Sequence, residues 1–257
     1  MFKDEFNAAA AASKTKYNLL KNNFAAYMML SAMAGIFVGF GILLVFTISG
    51  QLAGAPYSKV IMGVTFGVAL ALVVMAGGEL FTGNNFVMTA GLFNKNVTLK
   101  EASYLWLICW IGNLLGAILL AVIFSLTGLC SGATLEAMTA GTVAKVTPGP
   151  VMLLARGILC NTLVCLAVWC GFKMKSESGK LIMIFLCILT FFTTGFEHSV
   201  ANMTLLSLAL INSFDDAAIT FGSCLYNLII VTIGNMIGGA FLVAFPYYIA
   251  SGNRKGE

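Results

Sequence analysis

The chain has 257 residues, of which 60% are hydrophobic and only 9% charged, against about 25% charged in an ordinary soluble domain. Twenty-four charged side chains cannot coat a water-soluble fold that hides this much apolar mass, so the composition specifies a polytopic membrane protein and excludes a nucleic-acid binder, a secreted disulfide scaffold and a soluble enzyme. The net charge of +4 is small, and where the charges lie matters more than their sum.

The first 24 residues are polar, with Lys3, Lys14, Lys16 and Lys21, and the apolar run after them is too long for a signal-peptide core, so no cleavable signal is expected. Spans of ~20 apolar residues then follow between charges. Span one is framed by Lys21 and Lys59, about Phe24 to Gly50. Span two runs from about Val60 to Gly78, meets Glu79 and is completed by the short piece Phe86 to Phe93. Span three lies between Glu101 and Glu136, and span four follows Arg156 to about Phe172. Span five begins after Lys180, is interrupted at Glu197-His198 and resumes from Val200 to Ile211. Span six follows Asp216 and ends near Ser251.

Basic residues set the orientation. Eleven of them fall in the N-terminal segment, the loops between spans two and three and between four and five, and the C-terminal tail with Arg254 and Lys255. Lys59 and Lys145 fall on the other side, so both termini are expected to be cytoplasmic. Lys14, Lys16 and Lys21 are expected to meet anionic lipid or a cytoplasmic mouth. Trp106, Trp110, Trp169, Tyr57, Tyr247 and Tyr248 are candidates for interface anchors.

Two signatures recur in the same order. A glutamate followed five residues later by asparagine occurs as Glu79…Asn84 and Glu197…Asn202; a G-N-x-x-G segment occurs as Gly112–Gly116 and Gly234–Gly238. Each half therefore holds three spans, residues 24–128 and 151–251 after a cytoplasmic segment 1–23. An odd number of spans inserts the second half from the opposite side, which makes an inverted repeat whose two broken spans meet near the midplane. Broken backbone at membrane depth survives only inside protein or beside a water-lined cavity. Glu79 and Glu197 are expected to accept bonds from the loop N–H groups freed there, and Asn113 and Asn235 to bond neighbouring helices.

Seven cysteines without C-x-x-C spacing argue against a disulfide framework and read as small buried residues. One histidine in the chain excludes a multi-histidine metal centre, and no cofactor is expected. That histidine, His198, sits in the break of span five beside Glu197, where an ionisable group at membrane depth is functional by default. In a chain with 20 phenylalanines, Phe66, Leu70, Leu80, Phe81 and Phe191 would on composition alone be core packing. Lys145 reads as a loop lysine, one that would concentrate anions if it stands at an outer mouth.

Gly78-Glu79-Leu80-Phe81-Thr82-Gly83-Asn84 and Gly195-Phe196-Glu197-His198-Ser199-Val200-Ala201-Asn202-Met203 resemble the signatures of the formate/nitrite transporter family of formate, nitrite and hydrosulfide channels. Ser31-Ala32-Met33-Ala34-Gly35, Cys160-Asn161-Thr162-Leu163-Val164-Cys165-Leu166-Ala167 and the two G-N-x-x-G segments extend the resemblance along the chain. It implies an all-α, aquaporin-like six-span protomer in a homopentamer in a bacterial cytoplasmic membrane, with one pore per subunit. His198 would be the pore histidine, with Thr82 and Asn161 as polar partners and Lys145 as an electropositive group. Leu80, Phe81 and Phe66 would form the cytoplasmic-side constriction, and Leu70 and Phe191 the opposite ring. The partners implied are a small monovalent anion and the lipid bilayer. The expected mechanism has His198 hydrogen-bonding or protonating the anion so that its acid form crosses apolar rings. A neutral-solute channel would instead carry paired N-P-A caps, which the sequence lacks, and a membrane enzyme would need more than Glu79, Glu197 and His198.

Overall fold

A computed structural model describes residues 2–252, all helix and connecting loop, so Arg254 and Lys255 of the orientation argument lie outside the described residues. Among the described residues six helices are long and apolar enough to cross a membrane: Phe24–Gln51, Ser58–Gly77, Leu99–Leu126, Pro150–Lys173, Glu177–Thr194 and Phe221–Ala250.

Helix α1 (Lys3–Asn22) precedes them. Asp4 and Glu5 in its first turn and Lys21 in its last complement the helix dipole. Phe6, Ala9, Ala10 and Ser13 form the buried stripe by which it lies on α4 (Phe81–Phe93). The approach is close, since a Cβ on Gly91 would meet Ser13. Helix α2 (Phe24–Gln51) packs on α5 (Leu99–Leu126), and α7 (Pro150–Lys173) on α10 (Phe221–Ile237). Both crossings are made by the G-N-x-x-G segments: a Cβ on Gly116 would strike the Ala32 carbonyl, and one on Gly238 the Ile158 carbonyl. Bare glycine lets the backbones approach, as small residues do throughout membrane bundles.

The two broken spans have matching anatomy. Helix α3 (Ser58–Leu72) passes through a π-helical turn, Val73–Gly77, to Gly77 at φ 86°, then extended residues, then α4. Helix α8 (Glu177–Thr194) ends at Gly195, φ 83°, and after extended His198 the chain resumes as α9 (Ser199–Ile211). Left-handed φ favours glycine, and that residue ends each first half-helix. The last span bends through a second π-helical stretch, Gly238–Ala244, into α11 (Phe245–Ala250).

Three details differ from the sequence reading. Spans four and five start earlier, at Pro150 and Glu177, so Arg156 and Lys180 lie within their first two turns, where a long side chain reaches past the apolar zone. The segment before span four is not an extended loop but helix α6 (Gly132–Val146), carrying Lys145 in its last turn. The tryptophans are tied into the protein. Trp169 is buried against Phe2, Phe86 and Tyr247, while the Trp106 indole donates to the Asn84 carbonyl and that of Trp110 to Thr232 Oγ1.

Candidate functional site: a histidine between two vestibules

The break loops are held by asparagine, not glutamate. Asn113 Oδ1 accepts the Phe81 N–H at 2.9 Å, while its Nδ2 donates to the carbonyls of Ser31 (2.7 Å) and Glu79 (2.9 Å). Asn235 repeats the pattern, accepting from the Ser199 N–H at 2.9 Å and donating to Gly157 (2.8 Å) and Glu197 (2.9 Å). One amide thus ties the first N–H of a half-helix to a carbonyl across the break and to the neighbouring span. Two thiols add to the first loop, Cys109 donating to the Glu79 carbonyl and Cys165 to that of Thr82.

The expectation that the glutamates would take loop N–H groups is therefore corrected. Glu79 accepts from Lys16 Nζ at 2.6 Å and Asn84 Nδ2 at 2.9 Å. Glu197 accepts from Lys145 Nζ at 3.1 and 3.2 Å and Asn202 Nδ2 at 2.6 Å. Each acid is nearly buried and meets a cation brought by a helix outside its own broken span, α1 in one half and α6 in the other. Lys145 is correspondingly not a surface lysine, its side chain being 18% exposed.

The Lys145–Glu197 and Lys16–Glu79 pairs line two cavities, of about 380 and 400 Å³. Between them runs a neck of about 10 Å³ lined by Val38, Phe66, Ala69, Leu70, Leu80, Val164, Ile188, Phe191 and His198. That is room for about one water at most. Equivalent pairs of the two halves face opposite cavities, as inverted insertion requires.

The neck corrects the expected grouping of the rings. Phe66 and Phe191 line the Lys145-side cavity, their rings 5.9 Å apart edge to face, while Leu70 and Leu80 line the Lys16-side one. Phe66 and Leu70 have exchanged places relative to the expectation. Phe81 lines none of these three spaces; it is buried with its N–H on Asn113. Thr82 and Asn161 are also fully buried and line none of them. Asn161 Nδ2 lies 2.7–3.1 Å from the carbonyls of Thr82 and Asn235 and from Asn85 Oδ1, so it stands behind the loop and positions it.

His198 borders both the neck and the Lys145-side cavity. As N-cap of α9 its Nδ1 accepts the Ala201 N–H at 3.0 Å, and Nε2 lies 3.0 Å from Thr82 Oγ1. A ring nitrogen that accepts carries no proton, so this geometry describes a neutral imidazole with its proton on Nε2, donated toward Thr82. Phe191 stacks on the ring at 5.9 Å. The motif pointed to this residue; the roles of Asn113 and Asn235 were signalled only by the flanking glycines, which bring that one side chain within reach of a break.

The sequence profile described as Formate/nitrite transporter matches residues 3–249. The nitrite transporter NirC of Escherichia coli strain K12 is 37% identical over 98% of this chain and 93% of its own length. The formate channel BtFdhC of Bacillus thuringiensis is 36% identical, with 87% and 86% covered. Among solved structures, an FNT family ion channel superposes with a TM-score of 0.91 at 36% identity, covering 96% of this chain and 98% of that one. A pentameric formate channel with formate bound gives 0.80 at 28% identity, covering 90% and 98%. Two broken spans, a shared neck and sequence similarity along nearly the whole chain lead to one assignment: the chain belongs to the formate/nitrite transporter family.

Proposed function

We propose that the protein is a homopentameric channel of a bacterial cytoplasmic membrane, passing small monovalent anions of weak acids, formate or nitrite foremost, with both termini and the Lys16-side cavity cytoplasmic. The relatives named for nitrite and formate support the substrate class, and the pentameric neighbour the assembly. The observation that carries the mechanism is the position of His198, the polar side chain lining an otherwise apolar neck.

An anion driven into that neck loses hydration that phenyl and isobutyl groups cannot replace. At its outer edge the Nε2–H of His198 offers one compensating bond, with the anion taking the place of Thr82 as acceptor. With Nδ1 occupied by the Ala201 N–H, the ring holds a single proton, whose loss would leave an imidazolate. His198 therefore acts as a hydrogen-bond donor, and the proton that neutralises the anion comes from bulk hydronium, which reaches it through the cavity water and is left behind as water. The acid form then crosses as the Phe66–Phe191 and Leu70–Leu80 side chains part. No step in this account is enzymatic.

The test is light-scattering swelling of liposomes holding the wild-type pentamer or the His198→Phe variant, with formate, nitrite, hydrosulfide and glycerol. Wild-type flux of formate or nitrite should exceed that of glycerol and rise as pH falls. The variant should lose roughly 10- to 100-fold, the worth of one hydrogen bond to an ion. Unchanged, pH-independent flux in the variant, or glycerol passing at the anion rate, overturns the reading.

A further inference from the structure

Lys145 is poorly suited to attract an anion from a distance. Its ammonium lies against both oxygens of Glu197, so the pair is close to neutral beyond a few ångströms. The same cavity is lined by two further cations, Lys59 at the start of α3 and Arg156 in α7. Among the described residues neither side chain has an ion-pair or hydrogen-bond partner, and Glu197 is the one carboxylate lining the cavity. With neutral His198 this vestibule carries a surplus of two positive charges. The opposite cavity has no such surplus, since Lys16 and Lys180 lie 2.6 and 3.0 Å from the carboxylates of Glu79 and Glu177.

Lys59 is also seated. Its Nζ stands over Gly195, where a Cβ would come within 3.1 Å of it. Gly195 is the C-cap of α8, and the negative end of that helix dipole holds the ammonium above the broken span.

We infer that Lys59 and Arg156, not Lys145, collect the anion at the Lys145-side mouth, so that this mouth has the higher anion affinity. Lys145 holds Glu197 and the second break in place. The inference rests on the anion-channel reading, but its test does not depend on permeation. Ser49 lines the same vestibule. In the full-length protein with Cys130→Ser and Cys170→Ser, which removes the two native thiols that are not buried, a Ser49→Cys thiol is titrated with an anionic sulfonate and a cationic ammonium thiosulfonate reagent. Two unit charges several ångströms away should favour the anionic reagent by roughly tenfold at low salt, and salt near 1 M should abolish the preference. Lys59→Gln with Arg156→Gln should remove it, and Lys59→Arg with Arg156→Lys should keep it, each checked as an intact oligomer. A preference unchanged in the glutamine pair, or lost instead when the neutral pair is removed whole as Lys145→Gln with Glu197→Gln, overturns the inference. Absence of formate flux in the wild type overturns the channel reading and leaves this ratio still legible.

Discussion

At the scale of single residues, two asparagines hold the break loops that the sequence assigns to two acids. Asn113→Ala or Asn235→Ala would leave a buried half-helix N–H without its partner, at about 1–3 kcal/mol, and remove the two bonds the amide donates. The expected outcome is a lower melting temperature of the purified protein and less intact oligomer, measured by fluorescence-detected size exclusion during heating. The Lys145–Glu197 pair predicts a different pattern. Lys145→Met strands a nearly buried carboxylate and should cost about 3–5 kcal/mol, while Lys145→Met with Glu197→Gln should recover much of it. Equal melting temperatures for the single and double variants would contradict that coupling. Residue roles were only partly legible in the sequence. Phe66 and Leu70 are four apart on one helix, so spacing puts both on the pore face; which ring each joins depends on the depth at which α4 and α9 resume, and that is a tertiary fact. The glutamates were identifiable as break residues, but their partners Lys16 and Lys145 lie 63 and 52 positions away on helices outside the broken spans.

At the scale of elements, the helix crossings depend on glycines that admit no side chain. Gly116→Ala and Gly238→Ala would drive a methyl into the Ala32 and Ile158 carbonyls, and the affected backbone would have to separate. Both should be strongly destabilising, by about 1–3 kcal/mol or more. Gly171→Ala meets nothing within 4 Å and should leave the melting temperature unchanged or slightly raised. Comparable losses for all three would show that the crossings are not the reason. Span existence was readable because charge is so sparse that each basic cluster punctuates an apolar run. Span starts were not, since Arg156 and Lys180 belong to helices they were expected to precede. Helix α6 went unseen for another reason: it is short and of mixed polarity, so neither a span-length apolar run nor a clear apolar stripe marks it.

For the whole molecule, six helices among the described residues are long and apolar enough to cross, and six crossings would return the chain to its starting side. Tags placed before residue 2 and after residue 252 should share one accessibility in oriented vesicles, and a site in α6 should show the opposite one. Protease or biotin labelling measures this, and split termini would refute the topology. Much of the remaining surface is apolar: Leu107, Leu119 and Ile123 on α5 and Ile229 and Ile233 on α10 are exposed on the protomer, as befits faces that meet acyl chains or a second copy.

The matched halves differ at the position that caps each resuming half-helix. The cap of α4 is Leu80 and the cap of α9 is His198, each directly after its glutamate and before the residue whose N–H an asparagine holds. At the neck itself the two repeats thus differ in what their caps offer a passing solute, an isobutyl group on one flank and an imidazole N–H on the other. Trading the two, Leu80→His with His198→Leu, should yield a conduit whose hydrogen-bond donor faces the other compartment, visible in oriented vesicles as a reversed direction of the faster anion flux.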